Sequence, residues 1–258
     1  GPEGLFGVLY KAGISNELFP LLIFLGVGAM LDMRPLLSQP VMIIMGAAAH
    51  LGIFATLVVA LLLGFNLAES TAIGMIGAID GPTVIYVNGK LEALFNTPGL
   101  AAAIAVTAYS YMSLVPIIQP PLMRLFTSKK ERAVRMEYTP RPVSKTTAIV
   151  FPVLLTIIAA VFLPEAAPLL ATLFLGNLLK ESGVVAGLAE TARTAITNTA
   201  TIFLGITIGS TMQAATFLNV GTLKVLILGL IAFALNTIGG LLFGKLVCAL
   251  SGHKINPL

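Results

Sequence analysis

The chain has 258 residues, 57% of them hydrophobic and 10% charged, with a formal charge of +4 and a mean hydropathy of +0.98. A water-soluble domain carries about 25% charged residues, so its 15 basic and 11 acidic side chains cannot cover a water-facing surface, and soluble enzyme folds are excluded. The apolar runs are continuous instead of alternating, which excludes a β-barrel and leaves an all-α polytopic membrane protein.

The lone Cys248 forbids an intrachain disulfide and a multi-cysteine metal site. Gly1–Pro2–Glu3 lacks a start methionine and a basic leader, and Pro257–Leu258 ends the chain without a polar tail. Both ends read as trimmed.

Apolar segments are predicted at about 18–31, 41–65, 70–87, 98–123, 146–163, 166–179, 197–212 and 222–250. The second has no formal charge over its whole length, enough to cross a hydrocarbon core of about 30 Å. Others are short or broken. Segment 70–87 is interrupted at Asp80–Gly81–Pro82, and 166–179 runs into the polar stretch Asn177–Gly183. Breaks free backbone groups that lipid cannot satisfy, so they belong inside protein or beside a water-filled cavity.

Residues 124–147 form a polar linker carrying Arg124, Lys129, Lys130, Arg132, Arg135, Arg141 and Lys145 against Glu131 and Glu137. The positive-inside rule places it in the cytoplasm. With the basic residues concentrated there, the net charge is no sign of nucleic-acid binding. The linker divides the chain into a first membrane half, 1–123, and a second, incomplete half, 148–258. Residues 19–37 overlay 167–185 without gaps, with 6 of 19 identities, including Pro20 with Pro168 and Gly28 with Gly176. Such similarity fits a fold of two inverted-repeat halves with broken or re-entrant helices and an ion site between them.

Asp80 is the leading candidate for chemistry. A carboxylate at a membrane helix centre costs about 2.5–3.5 kcal/mol, and the Gly81–Pro82 breaker beside it exposes helix-end carbonyls that favour a cation. Carboxylate and carbonyls make an oxygen site for Na⁺ or a proton; the alternative is a loop residue at the membrane surface. Asn256–Pro257 repeats the pattern of an oxygen-bearing side chain beside proline, or is a simple turn. Asp32 is either functional or an interfacial ion pair with Arg34. Asn177 offers an oxygen ligand or interhelical glue.

Residues 191–216 hold eight threonines with Asn198, Ser210 and Gln213. Thr194, Thr197, Asn198 and Thr201 share a helical face that either lines a cavity or bonds back to its own helix. Tyr109 and Tyr111 lie within a crossing segment, where a phenol needs a partner or packs. His50 is a proton carrier or a satisfied core residue, and His253 is uninformative. No phosphate loop, Ser-His-Asp set or thiol nucleophile is present, and no extramembrane domain is large enough to convert a substrate.

LLIFLGVGAMLDMRPLL, GAIDGPTVIYV, AYSYMSLVP, LFLGNLLKESGVV, TNTATIFLGITIGSTM and the terminal KINPL, in that order, resemble the β subunit of sodium-pumping, biotin-dependent decarboxylases. Members act on oxaloacetate, methylmalonyl-CoA or glutaconyl-CoA. The resemblance implies the membrane subunit of a translocase complex in a bacterial or archaeal inner membrane. Its implied partners are a biotinylated carboxyltransferase and a small membrane-anchored subunit, in an oligomeric assembly. Biotin carried by the partner is decarboxylated with uptake of a proton while Na⁺ is exported. The family's intramembrane aspartate falls on Asp80 and its Asn-Pro element on Asn256, giving Na⁺ ligands. Its other polar positions match Asp32, Tyr109 and Tyr111, and Asn177 and Asn198 are further pathway candidates. The competing reading is a stand-alone secondary transporter, a Na⁺/H⁺ antiporter or carboxylate symporter; a passive anchor leaves the Asp-Gly-Pro break unexplained. The discriminating feature is a biotinylated partner.

Overall fold

The computed structural model describes residues 4–39, 41–95, 101–135, 142–212, 214, 218–252 and 255–258. Glu137, Arg141, Gln213, Thr216 and His253 lie outside them. Among the described residues the chain is helical, with no strand. In order, the helices are α1 (Leu5–Leu9), α2 (Leu18–Met30), α3 (Arg34–Ser38), α4 (Val41–Ala49) and α5 (Leu51–Leu62). They continue as α6 (Leu67–Met75), α7 (Gly81–Phe95), α8 (Ala101–Phe126), α9 (Lys129–Arg132) and α10 (Lys145–Phe162). The last are α11 (Ala167–Ser182), α12 (Ala186–Thr191), α13 (Thr197–Thr211) and α14 (Val220–Leu250).

Three of these stretches are long and apolar enough to cross a membrane: Val41–Leu62, Lys145–Phe162 and Val220–Leu250. Two bent pairs raise the number to as many as five among the described residues: Leu5–Ile14 with Leu18–Met30, at 56°, and Ala102–Met112 with Leu114–Phe126, at 64°. The second bend has a cause in sequence. Pro116 carries no N–H for the Met112 carbonyl four residues back, and its ring crowds that carbonyl. The chain is a multi-pass membrane protein.

The helices sort into two compact units, each drawing on residues from both sides of the basic linker. One contains α1–α3 and α10–α13. Its centre is the α2–α11 pair, where Gly28 lies against the Leu173 carbonyl and Gly176 against the Leu25 carbonyl. In the ungapped overlay Leu25 matches Leu173 and Gly28 matches Gly176. The contacts therefore exchange roles, as across a two-fold axis. Helix α11 stops at Gly183, whose φ of +70° suits the left-handed residue that ends many helices.

The other unit contains α4–α9 and α14. Its core is Ala60, Ala72, Ile73, Ile76, Val84, Ala103, Ile104, Ala108, Val225 and Leu228, with the 31-residue α14 packed against α4, α5, α6 and α8. Helix α6 begins at a reciprocal cap: Glu69 N–H donates to Asn66 Oδ1 at 2.8 Å, and Asn66 N–H to Glu69 Oε2 at 3.1 Å.

Candidate functional site

The segment between α6 and α7 breaks as the Asp-Gly-Pro sequence requires. Helix α6 tightens into a 3₁₀ turn over Ile76–Ala78, and Ile79 then adopts φ 60°, ψ 33°. A β-branched residue in the left-handed region costs on the order of 1–2 kcal/mol, so the surrounding packing must hold it there. Asp80 follows, half-buried. Its carboxylate accepts the Thr83 hydroxyl and, at 3.5 Å, the Thr83 N–H, so Asp80 caps the first turn of α7. The Asp80 carboxylate thus sits at the N-terminus of α7, just beyond the last carbonyls of the α6 turn.

Tyr109 and Asn236 pack against this break. The Tyr109 ring lies against Gly81, where a Cβ would come within 2.6 Å of it. That phenol is buried without a hydrogen-bond partner. Asn236 of α14 donates its amide to the Gly77 carbonyl, leaving its own Oδ1 buried and unpartnered. Thr56 Oγ1 is likewise buried and unpartnered on α5, one turn beyond Gly52, which packs on Asn236. A buried polar group without a partner costs about 1–3 kcal/mol, so the Tyr109 hydroxyl, whose ring packs on the residue after Asp80, suits an oxygen-seeking cation. No three His, Cys, Asp or Glu side chains gather to hold a metal among the described residues. One carboxylate with neutral oxygens suits a monovalent ion.

Asn236, which holds the Gly77 carbonyl at this break, is not among the residues the sequence singles out. The available signal was a single amide inside a helix otherwise apolar for many turns, where a polar side chain needs a bonded partner.

Asn256 lies elsewhere. Its Nδ2 donates to the carbonyls of Val134, at 2.9 Å, and Arg132, at 3.4 Å, and its Oδ1 accepts the Leu258 N–H at 3.0 Å. Pro257 packs on Gly244, two turns of α14 beyond Asn236, about 12 Å along the helix axis. The structure therefore engages Asn256 with the basic linker and does not bring it to Asp80. The same region ties down the end of α8: Arg132 donates to the Thr127 and Arg124 carbonyls, and Lys245 to the Phe126 carbonyl. Lys245 also pairs with Glu131 at 3.3 Å. The Ser128 N–H, first, and then the Ser128 hydroxyl and Lys245 hold the Glu131 carboxyl below its ordinary range.

Asp32 and Asn177 meet in the other unit. Asp32 pairs with Arg34 at 3.4 Å, the ion-pair alternative of the sequence reading. Arg34 reaches further, to both carboxylate oxygens of Glu181 across 147 residues of chain, and the Glu181 side chain is only 5% exposed. Asn177, 1% exposed, donates to the Leu31 carbonyl at 3.1 Å beside Lys180, which donates at 2.8 Å. This joins α2 to α11, the glue alternative, with Asn177 Oδ1 left buried and unpartnered.

Tyr111 donates its hydroxyl to the Leu226 carbonyl at 2.7 Å. On the predicted threonine face Thr194 bonds back to its own helix, donating to the Glu190 carbonyl, and further along α13 Thr207 donates to that of Phe203. Thr197 reaches five residues back to Ala192, because Ala192–Ile196 is a wide π turn that shifts the helical register. Asn198 and Thr201 are exposed. A nearby groove of about 400 Å³, lined by Phe19, Leu22, Ile196, Thr199 and Phe203 among others, is mostly apolar. His50 is exposed at the turn between α4 and α5, its Nδ1 2.7 Å from the Gly46 carbonyl.

The family model described as "Na+-transporting oxaloacetate decarboxylase beta subunit" matches residues 2–258. The chain is 52% identical over 256 residues to a "Methylmalonyl-CoA decarboxylase subunit beta" of Veillonella parvula, covering 99% of this chain and 67% of that one. It is 49% identical over 261 residues to an "Oxaloacetate decarboxylase beta chain" of Klebsiella pneumoniae, at 99% and 59% coverage. A "Glutaconyl-CoA decarboxylase subunit beta" of Acidaminococcus fermentans is 50% identical over 250 residues, at 97% and 65%. The chain thus spans 59–67% of the length of these relatives.

Proposed function

Because the chain belongs to the family of Na⁺-transporting oxaloacetate decarboxylase β subunits, we propose that it is the membrane part of a biotin-dependent decarboxylase that exports Na⁺ across a bacterial inner membrane. The single observation that carries the reading to a site is Asp80, capping α7 at a strained helix break with the ring of the unpartnered Tyr109 packed on the next residue. In this proposal Asp80 is the carboxylate that takes Na⁺ and gives it up to a proton. Thr83 orients the carboxylate, and Tyr109 supplies a neutral oxygen at its side. The basic segment 124–147 faces the cytoplasm.

The chemistry balances simply. The N–CO₂⁻ bond of carboxybiotin, presented by a biotinylated carboxyltransferase, breaks to release CO₂. Its electron pair stays on the ureido nitrogen, which takes one proton. Uptake of that proton is the event we couple to Asp80, whose carboxylate holds either a cation or a proton. Asn256 enters the site in a state where its amide leaves the carbonyls of Arg132 and Val134, so that moving the linker and completing the site are one step. Asp32, Asn177 and Asn198 serve the pathway. A small membrane-anchored subunit and an oligomeric assembly complete the complex. Relatives named for three different substrates imply that substrate choice lies with the carboxyltransferase.

The test is purification of the full-length protein from its native membrane in mild detergent, with streptavidin detection of biotin. The proposal expects a biotinylated partner in near-equal amount. Na⁺ binding without any biotinylated partner overturns it in favour of a stand-alone transporter.

A further inference from the structure

We propose that Asn236 is a positioning residue for Asp80: its amide clamps the end of the α6 turn and so maintains the strained backbone that aims the carboxylate. The inference rests on the reading of Asp80 as the Na⁺ carboxylate.

Asn236 is 5% exposed in the middle of α14, where an amide is costly unless bonded. Its donor goes to Gly77 O, one of the helix-end carbonyls that a break leaves without an intrahelical partner. A carbonyl accepts only from the NH₂ side of the amide, so the orientation of the side chain is fixed. Oδ1 then turns toward Gly52 of α5, where a Cβ would stand 2.5 Å from that oxygen and 2.7 Å from the Asn236 Cα. Only a glycine admits the clamp in this place. One turn earlier on α14, Ala232 meets Gly77, with a Cβ there only 3.2 Å from the alanine methyl.

Gly77 is therefore held from α14, while on the far side Asp80 is held by Thr83 at the start of α7. Ile79, at φ 60°, lies between the two anchors. A left-handed isoleucine survives only where its neighbours leave it no alternative. With the Gly77 anchor gone, Ile79 relaxes to a negative φ, and the carboxylate loses its fixed place at the start of α7. Na⁺ then meets a binding-competent arrangement in only a fraction of molecules, which weakens its apparent affinity by that fraction and leaves turnover at saturating Na⁺ largely intact.

The experiment measures half-saturating Na⁺ and saturated turnover for decarboxylation by the full-length subunit in its complex. Asn236→Leu is expected to raise half-saturating Na⁺ about five- to tenfold, the equivalent of one lost hydrogen bond, with saturated turnover within about twofold. Asn236→Asp adds a readout that a packing role does not move. A protonated aspartic acid donates to Gly77 O and an ionised one repels it, so Na⁺ affinity in this variant falls as pH rises. Unchanged half-saturation in Asn236→Leu, with Asp80→Asn inactive, overturns the inference and leaves the Asp80 reading standing. Affinity in Asn236→Asp that tightens as pH rises also overturns it, because residue 236 then acts as a second anionic ligand. Should Asp80→Asn keep its Na⁺ response, the reading of Asp80 falls first and the inference with it.

Discussion

The reciprocal glycines of α2 and α11 make a sharp energetic prediction. A Cβ on Gly28 would stand 2.7 Å from the Leu173 carbonyl carbon and closer to its oxygen; one on Gly176 would stand 2.9 Å from that of Leu25. Ordinary contact begins near 3.4 Å, so either methyl forces the helices apart by several tenths of an ångström or more, against backbone that cannot rotate away. Overpacking of this kind costs about 1–3 kcal/mol. Because the two contacts lie across one axis, the separation that accommodates the first methyl also accommodates the second. Gly28→Ala and Gly176→Ala should each lower the unfolding midpoint in detergent, and the double variant should lie close to the worse single. Contacting sites depart from additivity by about 0.5–3 kcal/mol. Strict additivity of the two losses would refute the two-fold packing.

Three further outcomes follow from particular side chains. Tyr109→Phe removes a buried hydroxyl with no partner, so the unfolding midpoint should hold or rise while half-saturating Na⁺ increases; a falling midpoint would mean that the hydroxyl is bonded. Arg34→Ala removes the guanidinium hydrogen bonds of the buried Glu181 carboxylate, leaving it Lys180 at 3.9 Å, and should cost about 1.5–3 kcal/mol, whereas Asp32→Ala, at an exposed pair, should cost under about 1 kcal/mol, both read from denaturation midpoints. Glu131 is held below its ordinary pKa, so its contribution to the linker is complete above the glutamate range and disappears as pH falls through the lowered value. Glu131→Gln at neutral pH should mimic acidification and speed tryptic cleavage at Lys129 and Lys130; an unchanged rate would contradict the role of the cap.

What could be seen in the sequence was what hydrocarbon imposes locally. Continuous apolar runs, the Asp-Gly-Pro interruption and the isolated Asp80 carboxylate each follow from the cost of polar groups in lipid. Relations fixed by tertiary packing were beyond it. Arg34 was paired with its neighbour Asp32, and nothing local announces Glu181, 147 residues away. The threonine face was drawn with a regular helical period, which the π turn at Ala192–Ile196 displaces. The resemblance implies Asn256 as a Na⁺ ligand; in the structure its amide is engaged by carbonyls of the linker, a pairing that depends on the chain folding back along α14. Asn236 was legible in principle but overlooked among the many apolar residues of α14. The glycine match between residues 28 and 176 was visible as a faint repeat, and its meaning became clear only when the two helices proved to be partners.

The central claim is that Asp80 carries the transported ion. The most direct measurement is uptake of radioactive Na⁺ into proteoliposomes holding the complete complex, driven by decarboxylation, with Asp80 or Asn at position 80. The account predicts that Asp80→Asn, which removes the charge and keeps the size, abolishes decarboxylation-driven Na⁺ uptake while the subunit still assembles with its biotinylated partner. Na⁺ uptake persisting in the assembled Asp80→Asn complex contradicts it.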